Sequence, residues 1–241
     1  MAKLTFKVDR IARITDAREM PAYAISEAAH YLCIPKATIG AWVRGTTYTT
    51  PGGTRQFHRV IELPDASAKL LSFYNLAEAH VLRAMREEYK IPMPIIRRAL
   101  GYVRKEFGWE RPLIQQRFKT DGATLFVERV GELVDTNRPE QALLPLLTEY
   151  LERIEWEGEF AARLYPFTRA VGSVDAPRAI VIDPTRSFGR PLLDRLGVTT
   201  NVIAERYKAG DSIAKLVKEY GGSQTDIEEA IRCELHIGIA A

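Results

Sequence analysis

Residues 23–59 read YAISEAAHYLCIPKATIGAWVRGTTYTTPGGTRQFHR, and this stretch decides the fold of the N-terminal part of the chain. An alanine-rich amphipathic helix is broken at residues 33–35, because proline starts a helix well but cannot sit inside one. A second short helix is predicted from Lys36 to Val43, with Gly45 as its stop. Two short strands around a Gly-Gly turn then predict a β-wing. The outline is that of a winged helix-turn-helix, a shape that places one helix in a DNA groove.

The positive charge of the chain is concentrated in this region. The formal net charge of the 241 residues is only +3, but residues 1–60 carry nine Lys/Arg against four Asp/Glu. Residues 171–241 are nearly balanced, with nine against ten. The basic excess therefore lies beside the helix-turn-helix, where contacts to phosphates would need it.

Several classes of function find no support in the sequence. It has no apolar run of about 18 residues and no signal-like N-terminus, so we expect a cytoplasmic protein without a membrane segment. Cys33 and Cys233 form no CxxC pair, and a disulfide is not expected in the cytosol. The four histidines are dispersed, and no nucleophile or phosphate-loop motif occurs. We expect no catalytic residues, no metal site and no cofactor, and hence no enzyme.

The middle of the chain changes its period. Apolar residues recur at helical spacing over residues 75–90 and 94–107, which predicts two packed helices. The period then becomes two, and residues 113–130 are predicted as a β-hairpin with Asp-Gly at its turn. A long helix follows over residues 140–156. Its apolar stripe is expected to cover either the hairpin or a second subunit.

The last part of the chain is predicted as a second unit. A small, polar stretch with proline at residues 172–177 suggests a linker. Two short strands and three helices with glycine stops are expected beyond it. Their predicted ranges are 179–182 and 191–193 for the strands, and 200–208, 212–220 and 223–235 for the helices.

The stretch YAISEAAHYLCIPKATIGAWVRG with TPGGTRQF resembles the N-terminal DNA-binding domain of MerR-type regulators over about residues 23–107. The resemblance implies DNA contacts from the second helix and the wing. These candidate residues are Lys36, Thr38, Arg44, Arg55, Gln56, His58 and Arg59. Positions where the family usually carries arginine hold Ala37, Gly40 and Ala41 here. A bidentate Arg–guanine contact supplies about 1–3 kcal/mol of discrimination, so we expect phosphate contacts rather than base readout to dominate.

The C-terminal stretch IDPTRSFGRPLL, with GVTTNVIAERYKAGDSIAKLVKEYGGSQTDIEEAIRCE, resembles a small bacterial antitoxin domain long catalogued as a domain of unknown function. The similarity covers about residues 178–235, and Arg195-Leu196 replaces a Gly-Thr pair that is usual in the family. The order of the two domains resembles a VapB-type antitoxin. That resemblance implies a VapC-type PIN-domain ribonuclease toxin as the partner.

Arg186 and Arg190 are the candidate toxin-binding residues. Their guanidinium groups could pair with the acidic metal-binding carboxylates of such a toxin, although a loop arginine can equally bond its own backbone. The last helix carries several carboxylates, which would be repelled by phosphates. We therefore interpret it as facing protein or solvent rather than DNA.

The expected fold is mainly α with small β elements (α+β), in three sections. Residues 1–110 form a MerR-like winged helix-turn-helix, and residues 111–172 form a β-hairpin and helix that is the candidate dimerisation section. Residues 173–241 form an antitoxin-like domain of three helices, itself helix-turn-helix-like, with short strands.

The expected function is an antitoxin that neutralises its toxin and represses its own operon by binding operator DNA. A homodimer is expected, because one short recognition helix buries too little surface for tight specific binding. Two alternatives stay open: a stand-alone MerR-like regulator without a toxin, and a protein-binding adaptor whose helix-turn-helix units are vestigial.

Overall fold

The computed structural model describes residues 16–50, 53–134, 140–169 and 176–235. Within these ranges the chain is mainly α-helical, with three short antiparallel strand pairs, which confirms the expected fold class. The linker predicted at residues 172–177 falls largely outside the described residues, as does the tip of the wing at residues 51–52.

The helix-turn-helix and wing form as the sequence predicts. Helix α1 spans Ile25–Leu32 and helix α2 spans Lys36–Arg44. Between them Cys33 adopts a left-handed φ of 51°, and Pro35 stands at the N-terminal boundary of α2. Strand β1 (Thr46–Thr50) pairs antiparallel with β2 (Gly53–Phe57) to make the wing.

The centre of the molecule is helix α3, which spans Phe73–Arg83 and is buried from its first residue to Leu82. The Ser72 side chain caps it by accepting a hydrogen bond from the Asn75 N–H at 3.3 Å. A π-helical turn at Ala84–Glu88 continues it, and helix α4 (Met93–Phe107) follows. An amphipathic helix is normally buried on one face only, so a helix buried all round marks the core on which the other elements pack.

The prediction of a β-hairpin over residues 113–130 is wrong. The chain instead makes two 3-10 turns (Pro112–Ile114 and Gln116–Lys119) and then helix α5, which spans Asp121–Val134. Gly122 lies inside this helix, and a side chain at its position would meet the rings of Phe118 and Trp109. This position therefore requires glycine for close packing and not for a turn.

A hairpin does occur in the middle section, but further along the chain. Helix α6 spans Glu140–Leu151, so the long helix predicted to residue 156 ends early. Strands β3 (Ile154–Glu157) and β4 (Phe160–Leu164) then pair around Gly158, which has a φ of +61°. The apolar stripe of α6 is covered by the core of this same chain, since its main side chains are fully buried: Leu143, Leu147, Tyr150 and Leu151.

The C-terminal unit matches the predicted order of elements. Strands β5 (Ile180–Val181) and β6 (Leu192–Leu193) pair antiparallel. A 3-10 turn at Ser187–Gly189 lies between these two strands. Three helices follow and enclose a second, smaller apolar core: α7 (Thr200–Lys208), α8 (Ile213–Tyr220) and α9 (Gln224–Leu235).

The C-terminal unit packs directly on the helix-turn-helix. Helix α9 contacts α1, and the His30 ring lies 3.6 Å from the Glu234 carboxylate. The buried Tyr23 hydroxyl donates to the Gly189 carbonyl at 3.0 Å. Helix α1 therefore packs against both α2 and α9, and the turn between β5 and β6 is fastened to the N-terminal part of the chain.

Candidate nucleic-acid interface

Helix α2 is held by buried apolar residues, and its predicted DNA contacts are at least partly exposed. Ile39, Trp42 and Val43 are buried, whereas Lys36 and Arg44 are exposed and Thr38 is half-buried. Lys36 and Arg44 are the first and last residues of the helix, and Thr38 lies at the margin of the buried face. The structure thus brings the three α2 candidates to an accessible position.

The wing is fixed to the end of α2 by backbone hydrogen bonds. The Val60 and Ile61 N–H groups both donate to the Trp42 carbonyl, at 2.8 and 3.1 Å. These bonds satisfy a carbonyl at the helix end that has no partner within the helix. They also set the position at which the chain leaves the wing.

The wing candidates follow closely along β2 and the segment after it. Gln56, His58 and Arg59 are exposed, and Arg55 stands opposite Tyr48 in the strand ladder. Arg59 lies 3.9 Å from the Glu62 carboxylate, a surface pair that contributes little on its own. A phosphate approaching the wing would compete with that exposed carboxylate for the guanidinium.

Gly40 has a specific neighbour that the sequence did not reveal. Arg44 folds back along α2, and a Cβ built on Gly40 would collide with the Arg44 guanidinium. Gly40 is buried by this arrangement. Because position 40 is glycine, the Arg44 guanidinium can lie over the middle of α2. The neighbouring Ala37 and Ala41 provide no charge there.

A cleft of about 520 Å³ separates α2 from the helices that follow the wing. Thr38, Ala41 and Thr46 line one side of it, and Arg86 and Arg97 line the other. Burial lowers the pKa of the Arg97 guanidinium, although arginine stays protonated in proteins. Sequence reasoning missed both arginines, because they sit in helices whose apolar stripes indicated only core packing. The guanidinium groups of Arg86 and Arg97 therefore line the same cleft as Thr38.

The two candidate toxin-binding arginines have different environments. Arg186 is half-buried and pairs with Asp194, its Nη1 donating to a carboxylate oxygen at 2.8 Å and its Nη2 to the backbone carbonyl at 3.0 Å. Arg190, which follows the 3-10 turn, is exposed. The structure places them on the same loop, but the charge of Arg186 is already matched within the chain.

The carboxylates of α9 are partly used inside the molecule. Glu229 is fully buried and accepts hydrogen bonds from Thr168 and from Arg169, the latter at 2.8 Å. Asp226 accepts from the Ser223 N–H at 2.8 Å at the start of the helix. This helix therefore ties its unit to the chain that precedes it.

Neither a metal site nor a membrane-spanning helix occurs among the residues that the structure describes. No group of three or more His, Cys, Asp or Glu side chains is arranged to hold a metal ion there. No helix in the same ranges is long and apolar enough to cross a membrane.

The fold and the exposed α2 and wing define a helix-turn-helix protein with a second, C-terminal three-helix unit. Residues 21–100 match the family described as "Putative DNA-binding HTH domain", and residues 180–232 match "Protein of unknown function (DUF433)". The first match covers the helix-turn-helix, the wing and the first part of α4, and the second covers the C-terminal unit from β5 into α9.

A named relative and a solved structure, both from Mycobacterium tuberculosis, are also similar to this chain over most of its length. The chain is 27% identical over 230 residues to the Mycobacterium tuberculosis protein named "Putative antitoxin VapB45", covering 88% of this chain and 93% of that protein. Its fold resembles the crystal structure of Rv2018 from Mycobacterium tuberculosis, with a TM-score of 0.63 and 24% identity over 88% of this chain and 98% of the other. The Rv2018 structure shows the fold, and the two family matches with the VapB45 relative confirm the resemblance to a VapB-type antitoxin with an N-terminal helix-turn-helix.

Proposed function

We propose that this chain is an antitoxin that binds and neutralises a PIN-domain ribonuclease toxin of the VapC type and represses its own operon by binding operator DNA. The observation that carries the proposal is the combination of two units in one chain. A helix-turn-helix with exposed cationic residues is followed by a DUF433 unit, and the pair aligns along most of its length with a relative named as an antitoxin.

The DNA part of the proposal is supported by the surface around α2. Four candidate residues are each exposed: Lys36 and Arg44 on α2, Gln56 on β2, and Arg59 in the segment that follows it. Such a set suits phosphate oxygens, with limited hydrogen bonding to bases. Operator binding is therefore expected to depend strongly on salt.

The proposal also includes that the chain acts as a homodimer in the cytoplasm. An inverted-repeat operator read by two short recognition helices requires two copies of the chain. Because the apolar stripe of α6 is buried within the chain, the dimer must use other surfaces. The proposed division of labour is DNA binding by residues 1–110, dimerisation through another surface of residues 111–172, and toxin binding by residues 173–241. No step in this function requires the chain to act as an enzyme.

The DNA contacts can be tested by gel shift on the region upstream of the gene, over a range of salt concentrations. Lys36→Ala and Arg59→Ala should each weaken binding, and each should reduce the slope of log affinity against log salt by about one. Lys218→Ala removes an exposed charge from α8 and is the matched control, with both affinity and slope unchanged.

The toxin partner is tested in parallel by copurification with the product of the neighbouring reading frame and by inhibition of its ribonuclease activity. Salt-dependent DNA binding without a toxin complex would identify a stand-alone regulator instead. A toxin complex with no salt-dependent DNA binding would identify a protein-binding adaptor. Either result contradicts one half of the proposal.

A further inference from the structure

Phe188 is exposed to a degree that sets it apart from the other apolar side chains in the described part of the chain. It is 95% exposed, whereas the next most exposed large apolar side chains there, Tyr102 and Val134, are each 39% exposed. Phe188 lies in the 3-10 turn between β5 and β6. Covering this ring with another molecule would remove its apolar surface from water, which is favourable.

The backbone at this position is strained. Ser187, Phe188 and Gly189 have φ values of 47°, 56° and 74°, so three consecutive residues occupy the left-handed region. Only glycine adopts that region without a steric penalty from Cβ. Strain of this kind persists only where the surroundings enforce it, and it concentrates at functional sites.

The surroundings of the turn do enforce it. At its start, an Asp183 carboxylate oxygen accepts from the Thr185 N–H at 2.8 Å, and Arg186 is paired with Asp194 at 2.8 Å. At its end, the Gly189 carbonyl accepts from the Tyr23 hydroxyl, and a side chain on Gly189 would collide with that hydroxyl. The ring of Phe188 is thus displayed on a preorganised support, which spares a partner the entropy cost of ordering it.

The charge next to the ring indicates the chemistry of the partner. Arg190 is exposed two residues beyond Phe188, while Arg186 is neutralised by Asp194. This loop therefore exposes one apolar side chain and, two residues further along the chain, one cation. A two-fold contact with a second copy of this turn would bring two Arg190 side chains together, so a different protein with carboxylates fits better.

We propose that Phe188 is the anchor of the toxin interface, its ring entering an apolar pocket on the toxin that is bordered by carboxylates facing Arg190. This proposal rests on the proposed antitoxin function and adds the residue on which binding depends. Central aromatic anchors surrounded by charged rims commonly carry most of the energy of a protein interface.

The test measures the dissociation constant between the purified full chain and the purified ribonuclease product of the neighbouring reading frame. Phe188→Ala should weaken binding by roughly 30-fold or more, the loss typical of a hot-spot residue. Arg190→Ala should weaken it less and mainly slow association, with a lower dependence on salt. Tyr207→Ala, an aromatic truncation at a 38% exposed site on α7 of the same unit, should leave binding unchanged.

Phe188→Gly separates binding from folding. Glycine relieves the left-handed strain, so this variant should melt no lower than the unaltered chain and yet bind the toxin as weakly as Phe188→Ala. Equal toxin binding by the unaltered chain, Phe188→Ala and Phe188→Gly would overturn the inference while leaving the antitoxin function standing. Loss of a dimer by Phe188→Ala, with toxin affinity kept, would assign the ring to a second copy instead. Absence of any toxin binding by the unaltered chain would overturn the proposed function, and this inference with it.

Discussion

At the scale of single residues, Gly40 and Arg44 show how a helix poor in arginine can still present a cation in its middle. The guanidinium of Arg44 lies over Gly40 because no Cβ occupies that space. Glycine inside a helix costs up to about 1 kcal/mol relative to alanine. The chain thus gives up some helix stability at the position where Arg44 folds back.

Gly40→Ala should therefore separate stability from DNA binding. We expect the free energy of unfolding to rise by up to about 1 kcal/mol, since only the end of a flexible side chain must move. Operator affinity should fall several-fold in a gel shift, because the Arg44 guanidinium is displaced. Gly101→Ala in α4 is the control, because a Cβ on that exposed glycine would meet no side chain and no backbone outside its own part of the helix, so the variant should gain stability without any change in affinity. Unchanged affinity in Gly40→Ala would show that the position of Arg44 is irrelevant to DNA.

At the scale of elements, α5 is where the sequence was misleading. Asp121-Gly122 is a strong turn signal when it stands between alternating residues, and the alternation was present. The buried residues Phe126, Val127 and Val130 instead lie at helical spacing. Packing against α4 decides between the two patterns, because a short apolar run fits either period and local signals cannot arbitrate.

Gly122→Ala tests whether Gly122 is a packing residue. A Cβ there would lie 2.7 Å from the Phe118 ring and 3.0 Å from Trp109, so the side chains must shift. We expect a loss of about 1–3 kcal/mol in the free energy of unfolding measured with urea, which outweighs the better helix propensity of alanine. Gly101→Ala should change stability in the opposite direction. A stabilised Gly122→Ala variant would contradict the close approach of these rings.

Other elements were predicted almost to the residue, and for identifiable reasons. Pro35 and Gly45 stand at the boundaries of α2, and the Ser212 hydroxyl caps α8 by accepting from the Lys215 N–H at 3.2 Å. These signals act within four residues of the chain, so they can be recognised in the sequence without knowledge of the tertiary structure. The positions of the candidate residues Lys36 and Thr38 on α2 were predicted from the same signals. Arg86 and Arg97 were not, because only the tertiary structure brings α4 and the turn before it to the cleft beside α2.

At the scale of the whole molecule, the two units are joined by contacts that cross most of the chain. The hydrogen bond between Tyr23 and Gly189 spans 166 positions, and the Leu164 and Ile182 backbones bond each other at 2.8 and 3.0 Å. The turn that carries Phe188 is therefore supported by the N-terminal part of the protein. A toxin bound at this turn would sit on a structure continuous with the helix-turn-helix.

Tyr23→Phe tests this junction. It removes the buried hydroxyl and leaves the Gly189 carbonyl without its donor, so we expect a loss of about 1–3 kcal/mol in the free energy of unfolding. Tyr102→Phe deletes a hydroxyl from a side chain that is 39% exposed and should stay within about 0.5 kcal/mol of the unaltered chain. Equal denaturation midpoints for the two variants would mean that the junction bond contributes nothing.

The sequence by itself determined the winged helix-turn-helix and the order of the C-terminal strands and helices. Each of these follows from prolines, glycines, caps and apolar spacing that act over a few residues. The tertiary structure alone decided the period of residues 113–130, the folded-back Arg44, the cleft arginines and the exposure of Phe188. These depend on which distant side chains arrive next to one another, and that is set by the packing of whole elements rather than by local preference.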